Sequence, residues 1–170
     1  MRLFKTEQLA TAGFMAALVM VGTLIIQIPT PTKGYIHIGD SMVYLCGILL
    51  GPVLGSLAAA IGSAAADLIS GYTIYAPATF LIKGVEALVT GACFYAVKKK
   101  SDSLWRITAA SLCGICLGGL LMVSGYLAYE TFLYGFPTAV LSMVANIIQA
   151  AGGGLLALPL ILTLQKYKRY

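Results

Sequence analysis

Six apolar stretches, most of them near the length of a membrane-crossing helix, leave this chain few residues for anything else. They run over Glu7–Ile28, Ser41–Gly55, Ser56–Ser70, Pro77–Val97, Leu104–Tyr129 and Thr138–Gln165. A crossing helix needs about 20 mostly apolar residues, so six leave roughly 50 for loops and ends. The second and third are short. Gly51-Pro52 marks the turn between them, because proline ends the preceding helix and glycine frees its exit. Only 10% of the residues are charged, against about 25% in a typical soluble domain. The expected fold is an all-α membrane protein, one domain over residues 1–170, with six transmembrane helices in one bundle. Soluble, disordered, collagen-like and nucleic-acid-binding classes are excluded, and the lipid bilayer is the first partner.

Lys and Arg in short loops orient such a bundle. Arg2 and Lys5 precede the first span, Lys98, Lys99, Lys100 and Arg106 flank the fourth connection, and Lys166, Lys168 and Arg169 close the chain. With six spans, both termini and all these cations face the cytoplasm, the cell membrane being the expected location. Lys33 alone lies in an outer loop, and Lys83 lies within a helix. The formal charge of +5 is thus topological and needs no acidic partner. Arg2 and Lys5 before an apolar stretch suggest a signal peptide, but the stretch exceeds the usual h-region and no convincing cleavage site follows. It reads as the first helix.

Ionisable groups are costly in the bilayer and face protein or water, so each is a functional candidate. Asp67 stands near the outer end of the third span. Pro77 opens the fourth, which places Lys83 and Glu86 roughly 9 and 13 Å along it at the helical rise. The fifth emerges through Ser124, Tyr126, Tyr129 and Glu130. On the sixth, Thr138, Ser142, Asn146 and Gln149 are spaced four, four and three, which is one helical face. Apart from the terminal turns, the inner halves offer neutral groups such as Ser56, Thr90, Thr108, Ser111 and Thr163. This describes a cup open to the outside, without the through-path that a channel or self-sufficient transporter needs.

The connection Pro29–Asp40 is the longest outer loop, and Tyr35-Ile36-His37-Ile38 alternates as a strand does. Loops at a cup's rim commonly serve as lids. Tyr72, Tyr75, Phe132, Tyr134 and Phe136 add aromatic rings, which also make an interfacial belt; Tyr126 and Tyr129 share that ambiguity.

Each candidate has a plainer reading. Lys83 and Glu86, three apart, either neutralise each other or face a ligand. The desolvation cost of a buried pair favours the ligand. Asn146 and Gln149 either bond across helices or bind. Asp67 suits a cap or a partner for Lys83, and Asp40 suits a helix N-cap. His37 is the only histidine and is kept as a lid contact, since a metal wants three or four ligands. Cys113 and Cys116 lack a second pair or a nearby histidine, while Cys46 and Cys93 read as small hydrophobes. No metal, cofactor or catalytic residue is expected. An aspartate dyad from Asp40 and Asp67 or a serine site using His37 would make a small intramembrane enzyme, but neither sits in a recognisable motif. A phosphate loop for ATP is absent from the sequence.

Gly34-Tyr-Ile-His-Ile-Gly-Asp40, Leu49-Leu-Gly-Pro52, Asp67-Leu-Ile-Ser-Gly-Tyr72, Ala76-Pro-Ala-Thr-Phe80 and Lys83-Gly-Val-Glu86 together carry a resemblance. The chain resembles the substrate-binding S component of energy-coupling factor (ECF) vitamin transporters. The resemblance implies capture of a vitamin or precursor from outside, docking on an ECF transmembrane scaffold subunit driven by two cytoplasmic ATPase subunits, and toppling to release the ligand inward. It implies that Ala12 and Ala16, within Ala12-Gly-Phe-Met-Ala16, form the scaffold interface. It also puts the ligand among the first outer loop and the outer parts of helices four to six. The resulting binding set is Tyr35, His37, Tyr75, Lys83, Glu86, Tyr126, Ser142, Asn146 and Gln149. The similarity ranks hydroxymethylpyrimidine or pyridoxine first and riboflavin as an alternative.

Overall fold

The computed structural model describes residues 4–30, 34–99 and 103–167 of the chain. Arg2, Lys33, Lys100, Lys168 and Arg169, which enter the charge argument, lie outside the described residues. The described residues form six α-helices and one minimal hairpin: α1 (Thr6–Ile25), β1 (Ile28–Pro29), β2 (Tyr35–Ile36), α2 (Asp40–Leu50), α3 (Pro52–Ile69), α4 (Ala76–Lys98), α5 (Leu104–Tyr134) and α6 (Phe136–Tyr167). Five are long and apolar enough to cross a membrane; α2 is the exception. Its 11 residues span about 16 Å at the helical rise, roughly half of a bilayer core. The expected span Ser41–Gly55 is therefore too long.

The cause is local. Gly51 takes φ 85°, and Pro52 then opens α3 at its first position, where a missing N–H is harmless. Residues 52–55 thus belong to α3 instead of α2. At the other boundaries, Ser103 caps α5 by accepting from the Arg106 N–H at 3.3 Å, and Gly135 (φ 84°) ends it five residues beyond the expected Tyr129. The first helix ends at Ile25 because the chain turns into an antiparallel pair, Ile28 opposite Ile36 and Pro29 opposite Tyr35. The strand-like alternation of the outer loop is borne out over two residues.

Small residues set the packing. A Cβ on Gly47 of α2 would collide with the Ala87 carbonyl of α4, and one on Gly91 of α4 with the Gly47 carbonyl. Gly114 and Gly118 of α5 likewise abut Thr90, so these small-residue patterns join helices of this chain. Ala12 is buried, and the Ala16 carbonyl lies where a side chain on Gly62 of α3 would sit. Ala16 thus packs α1 on α3, and Ala12 belongs to the buried core.

The interior divides along the bundle. Ile48, Phe94, Ile107 and Ile161, all fully buried or nearly so, belong to a large apolar core. Tyr75, Met122 and Tyr126 form a smaller cluster toward the other end, where the hairpin, residues 70–75 and Gly135 connect the helices.

Candidate functional site

At the end carrying the hairpin, Thr30, Gly34, Tyr35 and His37 of the first outer connection cover a polar cavity. Asp67 of α3, Tyr75 and Thr79 at the start of α4, Tyr126 and Glu130 of α5, and Asn146 and Gln149 of α6 form its walls. It encloses about 20 Å³, room for about one water. A larger cleft of about 450 Å³ between α5 and α6 is lined by side chains such as Leu120, Val123, Leu127 and Ile147. Apart from Cys116 and Ser124, whose hydroxyl already donates to the Leu120 carbonyl, its lining is apolar, so it offers few groups to orient a ligand and does not compete as a recognition site.

Hydrogen bonds tie the lid down. Thr30 N–H donates to the Gly34 carbonyl at 2.8 Å, closing the loop. The Tyr35 hydroxyl donates to Asp67 Oδ1 at 2.7 Å, and its ring packs on Tyr72 with centroids 4.5 Å apart. His37 N–H donates to Gln149 Oε1 at 3.0 Å, and His37 Nδ1 accepts from Gly39 N–H at 3.1 Å. Burial holds this imidazole's pKa down at about 4; the nearby Asp40 carboxylate opposes the shift and Lys83 adds to it. Burial first, and then Asp67, push the Tyr35 phenol up, so it stays a donor.

The walls carry further pairs. Tyr75 OH donates to Glu130 Oε1 at 3.3 Å, and Thr79 Oγ1 and Tyr126 OH share a hydrogen bond of 3.0 Å. Asp67 Oδ2, an acceptor, and Asn146 Nδ2, a donor, are wall atoms buried without a hydrogen-bond partner among the described residues. Buried polar atoms of this kind call for an explanation such as a bound partner.

Of the nine expected binding residues, the structure brings six to the cavity: Tyr35, His37, Tyr75, Tyr126, Asn146 and Gln149. Lys83, Glu86 and Ser142 are fully buried and lie outside its lining. Lys83 Nζ donates to Asp40 Oδ1 at 2.5 Å and to Glu86 Oε2 at 2.9 Å, and stands 5.7 Å from the Tyr126 ring centroid. The pair anticipated within α4 is thus a triad with α2. Asp40 is the first residue of α2, with Gly39 in the capping position, so its carboxylate serves Lys83 instead of capping the helix. Asp67, Thr79, Glu130 and Thr30 are wall or lid residues absent from the expected set. Membrane depth flags Asp67 and Glu130, but nothing in the spacing shows that they converge. Among the described residues no three or more His, Cys, Asp or Glu side chains cluster as a metal site.

A bundle of membrane-length helices with a lidded polar cavity at one end and an apolar core at the other defines a membrane-embedded binding protein. The family model described as "ECF-type riboflavin transporter, S component" matches residues 3–166, and the chain belongs to that family. A Pyrococcus woesei protein described as "Uncharacterized protein in gap 3'region" is 39% identical over 136 residues, covering 79% of this chain and 86% of the relative. A solved structure of the S component of a bacterial ECF transporter shares the fold with TM-score 0.69 at 18% identity, covering 96% of this chain and 98% of that one. The protein is accordingly a vitamin-binding transporter subunit. Its family and its structural neighbour are transport components, not enzymes.

Proposed function

We propose that this chain captures a small, unphosphorylated aromatic vitamin or precursor in the lidded cavity, for uptake by an ECF scaffold and two ATPase subunits. The observation that carries the reading is the charge and donor pattern of the lining. Two carboxylates, Asp67 and Glu130, line it, while no Lys or Arg does among the described residues. Lys83, buried outside the lining, is already held by two carboxylates. Such a lining favours a ligand rich in N–H and O–H groups and repels phosphate, since an anion beside these carboxylates loses attraction where screening is weakest. Tyrosine rings supply stacking surface, and Asn146 Nδ2 an unused donor.

Hydroxymethylpyrimidine or pyridoxine is the first reading; the closed cavity of about 20 Å³ has room for about one water, so the hairpin must lift to admit even a one-ring ligand. Riboflavin is the second reading, favoured by the description of the matching family. Docking on the scaffold falls to α1, the least buried of the five long helices. Gly13 there faces open space, with exposed Ala10 and Ala17 nearby and Ala16 at the edge of the α3 contact. The basic ends of α1, α4, α5 and α6 belong to the side opposite the cavity, which supports the cavity opening outward and both termini lying in the cytoplasm of a cell-membrane protein.

The experiment is calorimetric titration of the purified chain with hydroxymethylpyrimidine, pyridoxine, riboflavin and their phosphates, alongside mass spectrometry of what co-purifies. Binding of one unphosphorylated compound at least about 100-fold tighter than its phosphate is the expected result. Equal or tighter binding of the phosphates, or no binding of any, overturns the proposal. Turnover of a bound compound would mark an enzyme.

A further inference from the structure

The Gln149 side chain joins the lid to the buried triad. A carboxylate only accepts hydrogen bonds and a backbone N–H only donates. Gln149 Nε2 donates to both oxygens of Asp40, at 3.1 Å each, so its Oε1 must turn the other way, where it accepts from His37 N–H at 3.0 Å. Flipping the amide would set oxygen against carboxylate and N–H₂ against N–H. Asp40 therefore selects the orientation of Gln149 while lying outside the cavity lining itself. The backbone is built for this contact: a Cβ on Gly153, one turn along α6, would sit 2.7 Å from the Asp40 Cβ.

We infer that Asp40 is a positioning residue for the binding site: it fixes the Gln149 amide so that the lid backbone is held over the cavity. The inference rests on the cavity reading above. A structural explanation, that Asp40 only neutralises Lys83, predicts something different. Glu86 also pairs with Lys83 at 2.9 Å, so Asp40→Asn leaves one cation facing one carboxylate and a balanced core. The amide introduced by Asp40→Asn has a single acceptor oxygen, which Lys83 claims. Its N–H₂ then faces Gln149 and draws the Gln149 oxygen away from His37.

The test compares the full-length wild type with Asp40→Asn, Gly153→Ala and Gln149→Leu in detergent or nanodiscs. Hydrogen exchange over residues 34–39 is measured without ligand, and titrations use hydroxymethylpyrimidine, pyridoxine and riboflavin in turn. Asp40→Asn should keep a melting temperature near wild type, raise lid exchange about tenfold and lower affinity by about tenfold or more, the usual weight of a lost charge-assisted hydrogen bond. Gly153→Ala, which changes no charge, should move the same two readouts in the same direction. Combining Asp40→Asn with Gln149→Leu should add little to Gln149→Leu alone, because both act through one contact.

Wild-type lid exchange and affinity in Asp40→Asn, additive effects in the double variant, or loss of folding in both Asp40→Asn and Gly153→Ala would each overturn the inference. If wild type binds none of the three compounds, the functional reading fails, while the exchange experiment still decides the role of Asp40.

Discussion

The Tyr35 hydroxyl reaches Asp67 Oδ1 across 2.7 Å, joining the tip of the outer hairpin to the end of α3, 32 positions along the chain. This bond ties the lid to α3, as the Gln149 bond to His37 ties it to α6. Tyr35→Phe keeps the ring against Tyr72 and removes only the donor. A hydrogen bond to a charged group contributes about 1.5–3 kcal/mol, so ligand dissociation should quicken roughly 10-fold or more with the melting temperature little changed. Stopped-flow displacement of bound vitamin measures it; an unchanged off-rate would show that this bond does not hold the lid.

His37 makes lid closure depend on pH in a definite direction. Its neutral Nδ1 accepts from Gly39, with Asp40 and Lys83 as the charged groups beside it, the Tyr35 ring 5.4 Å away and Gln149 on its backbone N–H. Freed from the closed lid, the imidazole takes a proton near pH 6.5, whereas closed it does so at about 4. The open state therefore binds more protons between these values, and closure is fully favoured above about 6.5 and lost progressively as pH falls toward 4. Affinity measured across that window should decline, and His37→Asn, which keeps an acceptor without titrating, should flatten the decline.

Lys83, Asp40 and Glu86 are each 0% exposed, so charge balance decides what their loss does. Lys83→Met strands two carboxylates and should cost about 3–5 kcal/mol, the range for breaking a buried pair. Glu86→Gln leaves Lys83 with Asp40 and should cost markedly less. Reversible unfolding in mixed micelles would rank the two; equal losses would contradict the charge accounting.

Along α1, two pairs of small residues should behave differently. Bulky replacement of Ala12 and Ala16 pushes α1 off α3 and should lower stability and binding together. Gly13→Leu with Ala17→Leu projects outward and should stop vesicle uptake by the assembled transporter while binding persists. Uptake surviving the Gly13 and Ala17 changes would place the scaffold contact elsewhere.

Much of this molecule is legible in the amino-acid order. Long apolar runs announce the crossing helices, because every backbone polar group in lipid must be satisfied within its own helix. The 3.6-residue period puts Ser142, Asn146 and Gln149 on one face of α6, and all three are buried. The Gly51-Pro52 break is visible too, although the spans on either side are drawn too far, since hydropathy continues unchanged through a turn that has no polar residues.

Partner choice is another matter. Lys83 could answer Glu86 three residues away, and it does, but its second carboxylate comes from Asp40, 43 positions earlier, because Gly47 and Gly91 let α2 lie directly against α4. Asp67 and Glu130 face the same cavity only because α3 and α5 flank α4. Residue order was enough to establish that this chain enters a bilayer and which helix faces are polar, since burial of apolar surface follows composition and period. Which polar groups meet was settled only by the packing of the helices. That depends on how closely backbones approach, and at these crossings glycine, not polarity, sets the distance.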